Sequence, residues 1–155
     1  MPSHRAAAIV LAAGLGLAAC GQCGGSTAAP SGGGQNLVFT GPAAGTLTTA
    51  KTGCEIFTAS TQLNYLLTGT LSGKQLTFNI QVNSGYKGPG DYPVGSILDS
   101  GSNLRLQIGD YVGSSTTGAG TLTIDREERS GSVDAELSGG EHVKGSFRCD
   151  QVKTE

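Results

Sequence analysis

Along residues 75–82, Leu76, Phe78, Ile80 and Val82 alternate with Thr77, Asn79 and Gln81. A period of two sets one group of side chains on the covered face of a strand and the other toward solvent. The alternation recurs in residues 103–108, through Leu104, Leu106 and Ile108, and again in residues 121–125, 132–137 and 142–149. In the last of these, Val143, Phe147 and Cys149 share a face. Shorter apolar runs occupy residues 37–40, 45–49, 54–60 and 63–71. Turn signals separate the runs: LSGK at 71–74, NSGYKGPGD at 83–91, DSGSN at 99–103, ERSGS at 128–132 and SGGE at 138–141. No helical period follows residue 35. The pattern predicts an all-β domain over residues 36–155, an antiparallel β-sandwich or flattened barrel of about eight or nine short strands. The turns between the last three runs are short enough to make them a meander.

The first 35 residues read differently. A polar start with one arginine, Arg5, precedes an unbroken apolar run over residues 6–19, AAAIVLAAGLGLAA. A helix needs about 20 apolar residues to cross a bilayer, so this run has the length of a secretory signal core instead. It ends in Leu17-Ala18-Ala19-Cys20, which resembles the lipobox of bacterial lipoproteins. The resemblance implies a signal peptide over residues 1–19, cleavage before Cys20, and a diacylglyceryl group on the Cys20 thiol. Each buried CH₂ of an acyl chain contributes about 0.8 kcal/mol, and two chains hold a protein stably at a membrane without spanning it. Gly21, where inner-membrane retention typically uses Asp, implies the outer membrane if the source has one. Residues 20–35 are rich in Gly, Ser and Ala. They read as a flexible tether with a reach of about 20 Å.

Composition agrees with strands and turns. Glycine supplies 26 of 155 residues, tryptophan none, and only 14% are charged. The formal net charge of −2 leaves no basic face for nucleic acid and no polybasic segment for anionic lipid. The expected membrane contact is therefore through the lipid anchor.

The chain has four cysteines. Cys20 and Cys23 form a C-x-x-C, but a glycine-rich stretch follows where a redox motif would open a helix. Zinc needs about four ligands, and the domain offers one histidine, His142. Cys23 is left as an odd thiol on the tether. Cys54 shares a face with Ile56 and Cys149 with Phe147, both inward, near opposite ends of the domain sequence. An extracytoplasmic compartment permits oxidation, and a Cys54–Cys149 disulfide is expected, with two buried thiols as the alternative.

No catalytic constellation, metal site or cofactor motif is evident. His142 follows a turn and reads as solvent-exposed. The stretch VGSSTTG at 112–118 only echoes a nucleophile elbow and reads as a polar loop. DREER at 125–129 mixes carboxylates with arginines and reads as a solvated hairpin end. The most distinctive stretch is GYKGPGDYP at 85–93. Tyr86 and Tyr92, with Tyr111, lie beside turns or strand ends; clustered, they would make a platform for a sugar ring or an apolar ligand. The alternative is a rigid turn leading into an edge strand, with the tyrosines covering the end of the sandwich.

The whole chain resembles small bacterial lipoproteins of unknown role, with a lipobox, a Gly/Ser/Thr tether and one β domain. The residues that carry this are the early cysteine, the turn Tyr86-x-Gly88-Pro89-Gly90-x-Tyr92, the GTLTI strand at 120–124 and the closing VKGSFRC at 143–149. It is more distantly similar to the mycobacterial 19-kilodalton lipoprotein antigen, which also has an early cysteine and ends its domain on a cysteine-bearing strand. The resemblance implies a surface or envelope module without assigned catalysis. The anchor, the tether, the disulfide-ready sandwich and the missing catalytic partners point to a noncatalytic envelope lipoprotein whose β domain binds a protein, a glycan or a small apolar ligand. Two other readings stand beside it: an inhibitor of an attacking enzyme using the loop at 83–93, and an envelope hydrolase with carboxylates brought from separate strands.

Overall fold

The structure, a computed structural model, describes residues 34–96, 98 and 101–155. The expected signal peptide, the lipidation site Cys20, Cys23 and the tether to residue 33 lie outside the described residues. Those described form eleven strands and no helix. They are β1 (Asn36–Thr40), β2 (Gly45–Leu47), β3 (Lys51–Phe57), β4 (Gln62–Leu71), β5 (Lys74–Val82), β6 (Gly90–Val94), β7 (Ser102–Ile108), β8 (Tyr111–Ile124), β9 (Ser130–Leu137), β10 (Glu141–Arg148) and β11 (Lys153–Thr154). The all-β expectation holds.

The strands make one sheet in the order β11-β3-β4-β5-β7-β6-β8-β9-β10-β1-β2, with β7 also paired to β8. The sheet curls until distant strands face each other. Phe39 of β1 meets Phe78 of β5 edge-on, with ring centroids 5.8 Å apart. Tyr65 of β4 meets Phe147 of β10 at 5.2 Å. The interior between them is lined by Leu37, Leu67, Leu76, Ile80, Leu104, Leu106, Leu122 and Val143, all essentially without solvent contact. The period-two residues of the sequence thus become the two inner walls of a flattened, open barrel. The Cys54–Cys149 disulfide is present, with Cα atoms 6.3 Å apart, and joins β3 to the end of β10. Both ends of the sheet are short strands, which limits unpaired edge.

Each of the nine expected runs holds one strand, and β8-β9-β10 form the expected meander. β6 and β11 are additional, with five and two residues, too short to show a period. Residues 112–118 correct the reading of a polar loop, because they belong to the 14-residue β8. β8 pairs with β7 through Tyr111 to Ser114, then with β6 through Gly120 to Ile124. Between these, the register to β9 jumps from Ser115↔Leu137 to Gly120↔Ala135. Residues 116–119 therefore bulge out. A strand that changes partner halfway shows no steady alternation, and that hid it.

The fork between β7 and β8 leaves main-chain groups that no ladder satisfies. Ser115 fills the gap. Its hydroxyl accepts from the Leu104 N–H at 2.9 Å and donates to the Gly95 carbonyl at 2.6 Å. Ser102 secures the same junction by donating to the Pro93 carbonyl at 3.1 Å.

Candidate functional site

The three tyrosines do not gather. Tyr86 and Tyr92 stack at one end of the barrel, with centroids 5.7 Å apart and planes 25° from parallel. The Tyr86 side chain is buried, and its hydroxyl donates to Glu128 Oε1 at 2.6 Å. Tyr65 reaches the same turn from the core and donates to the Glu128 carbonyl at 2.7 Å. Burial, then the Glu128 carboxylate, push both phenols well above their ordinary range. Tyr92 accepts from the Lys87 N–H and donates to the Gly88 carbonyl. The GYKGPGDYP segment is thus a turn locked by its own tyrosines, leading into β6. Glu128, in a stretch that reads as a solvated hairpin end, is the hub of this lock and sits at φ 56°, a strained conformation for a side-chain-bearing residue.

Tyr111 stands at the opposite end, beside the β9–β10 turn. Its hydroxyl donates to the Ser138 carbonyl at 2.6 Å. Its ring crowds over Gly113, where a Cβ would collide with it. Burial and the charge of Glu141 raise this phenol as well. Glu141 itself is fully buried. One of its oxygens accepts from the Ala43 N–H at 2.8 Å, and the other has no hydrogen-bond partner among the described residues.

His142 is partly exposed and bonded to Asp134 at 2.8 Å, while Lys144 approaches the other oxygen of Asp134 at 2.7 Å. Hydrogen bonds from Lys144 and His142 hold the Asp134 carboxyl below the usual carboxylate range. Among the described residues, no hydroxyl or thiol bonds to His142, and no three acidic, histidine or cysteine side chains cluster to hold a metal.

The feature that invites a ligand lies elsewhere, on the outer face of β4, β5, β7 and β8. Register aligns Leu66, Asn79, Arg105 and Ser114 in one row across the four strands. A second row runs through Thr68, Thr77, Gln107 and Val112, and a third through Asn64, Gln81 and Asn103. With strands about 4.8 Å apart, a four-strand row spans about 14 Å. All of these residues except Asn64 and Thr68, together with Ser96 and Leu98 after β6, line a groove of about 730 Å³. That is within the usual range of ligand sites, about 300–1,000 Å³.

Three observations set this groove apart. Of the four large apolar side chains exposed among the described residues, Leu66, Leu98 and Val112 line it; Val38 does not. Asn103 is only 4% exposed, and the arm of its amide assigned as Nδ2 has no hydrogen-bond partner among the described residues. Leaving such a group unpaired costs about 1–3 kcal/mol. Arg105 is the one charged residue in the described lining.

The alternation in residues 75–82 and 103–108 puts the polar lining residues of β5 and β7 on the solvent side, whereas Val112 and Ser114 fall in the stretch that reads as a polar loop. The signal was available: Asn79, Gln81, Asn103, Arg105 and Gln107 are all planar hydrogen-bonding side chains on consecutive outward positions of two runs. What was missing was that the two runs are neighbours, joined antiparallel as β5 and β7. The chain matches no protein-family model and no curated protein.

Proposed function

We propose that this chain is a noncatalytic, lipid-anchored lipoprotein of the cell envelope whose β domain binds a ligand in the β4-β5-β7-β8 groove. The anchoring half rests on the lipobox-like Leu17-Ala18-Ala19-Cys20 after a signal-length apolar run. The binding half rests on one observation. Exposed apolar side chains and a buried amide arm without a partner among the described residues converge on a single concave face of the barrel. Such convergence of apolar surface with a few placed polar groups is how ligand sites are built. The tether holds that face clear of the membrane, and the disulfide and the locked tyrosine turn keep the walls of the barrel fixed.

The test of anchoring compares wild type with Cys20→Ala in a lipoprotein-processing bacterial host. The wild type should partition into detergent and incorporate labelled fatty acid, and Cys20→Ala should do neither. Labelled, membrane-held Cys20→Ala would contradict the proposal. For binding, Val112→Glu places a bulky charge in the groove without touching the core. It should leave the melting temperature unchanged and abolish retention on whatever envelope fraction retains the wild type.

A further inference from the structure

Resting on the reading of this groove as the binding site, we infer that its ligand is a carboxylate-bearing saccharide. The lining decides the charge. Among the described residues thirteen line the groove, and they include one cation, Arg105, and no Asp or Glu. Arg105 makes no ion pair among the described residues, where the salt bridges are confined to Asp134 with His142 and Lys144. A guanidinium without a carboxylate among the described residues, in a chain of net negative charge, is a fork suited to a planar oxyanion. A single fork among neutral groups matches one negative charge.

The neighbours decide the rest of the chemistry. Asn79 lies directly across from Arg105 on β5, and Ser114 directly across on β8. Gln107 and Asn103 lie two residues along β7 on either side, with Thr77 and Gln81 opposite them. These side chains present both donors and acceptors at the roughly 5–7 Å spacing of a sheet surface. Hydroxyls of successive sugar rings, each both donor and acceptor, meet that demand. Asn79 is pre-set by donating to Asn64 Oδ1 at 2.9 Å. Leu66 and Val112, at diagonal corners of the lattice, offer apolar patches for the C–H faces of the rings. The unpartnered arm of Asn103 supplies one more donor once a ligand reaches it.

The test uses the full chain extracted in detergent and three probes: hexagalacturonate, the same hexamer fully methyl-esterified, and hexaglutamate. The acid hexamer should bind at least tenfold more tightly than its neutral ester and than the acidic peptide. Arg105→Ala should remove that preference while leaving the thermal midpoint unchanged, and Arg105→Lys should restore it only in part. Equal binding of acid and ester, abolished by Val112→Glu, would overturn the inference and leave the groove as a site for a neutral ligand. Acid binding indifferent to both Arg105→Ala and Val112→Glu would overturn the groove itself. Preference for hexaglutamate, or binding of no probe, would overturn the saccharide.

Discussion

Reduction of the Cys54–Cys149 bond should cost this domain a large part of its stability. The bond closes a loop of 95 residues. In the chain-entropy model, a loop of about 100 residues raises the free energy of the unfolded state by about 4.7 kcal/mol. A domain of this class is stable by about 5–15 kcal/mol, so the bond supplies between a third and nearly all of it. At about 2.1 cal/mol/K of unfolding entropy per residue, a domain of about 120 residues loses about 4 °C for each kcal/mol. The loss then amounts to about 19 °C. The assay is urea and thermal unfolding followed by tyrosine emission, there being no tryptophan, on oxidised protein, reduced protein and Cys54→Ala/Cys149→Ala. Both cysteines are buried, so reduction of the native state should be slow and limited by opening. The double variant should lose at least as much as the reduced protein, since it also leaves small voids. A reduced protein melting within about 2 °C of the oxidised one would refute the reasoning. The long loop would then contribute nothing to the unfolded ensemble.

Other outcomes follow from single contacts. Gly145→Ala should cost about 3 kcal/mol, read from urea midpoints. Its φ is 138°, and its Cβ would drive into the Asn36 carbonyl across the β1–β10 pair. Glu141→Ala should lose about 1–3 kcal/mol by stranding the Ala43 N–H, whereas Glu141→Gln keeps an acceptor, removes a buried charge, and should unfold within about 1 kcal/mol of wild type or later. Asp134→Asn should cost less than about 1 kcal/mol, because the carboxylate is half exposed, and the effect should shrink in salt. The Asp134 carboxyl is depressed in the fold, so its small contribution is present above the ordinary carboxylate range and fades as pH falls through the lowered folded value. Tyr65 and Tyr86 keep their protons in the fold beyond the ordinary value of 10.0. Stability should therefore decline as pH rises above about 10, where the unfolded chain releases protons that the folded one holds. Phenolate absorbance should rise for these two only with unfolding.

The architecture was legible because a half-buried antiparallel strand writes its period directly into the chain. Leu76-Phe78-Ile80-Val82 and Leu104-Leu106-Ile108 became inner walls for that reason. The disulfide was legible because Cys54 and Cys149 each sat in phase with an apolar neighbour. The first part of β8, before residues 121–124, was not legible, since its serines and threonines pair with β7 and then bulge before the strand turns to β6. The tyrosines attracted attention by their type, yet Tyr86 and Tyr92 are occupied in locking a turn and Tyr111 sits at the far end. The groove stayed hidden for a different reason. Its lattice is made by cross-strand register, in which Asn79 meets Arg105 and Gln81 meets Asn103. Residues some 25 positions apart carry no local mark of being neighbours.

The measurement that bears most directly on a tethered binding domain is a native mass spectrum of the protein extracted gently from its own membranes. The account predicts a chain that begins at Cys20 and carries acyl chains. It also predicts a carbohydrate passenger of acidic composition that stays with the folded domain and leaves on unfolding. An unacylated chain that retains residues 1–19, with no passenger on the folded domain and none regained from envelope extracts, would contradict it.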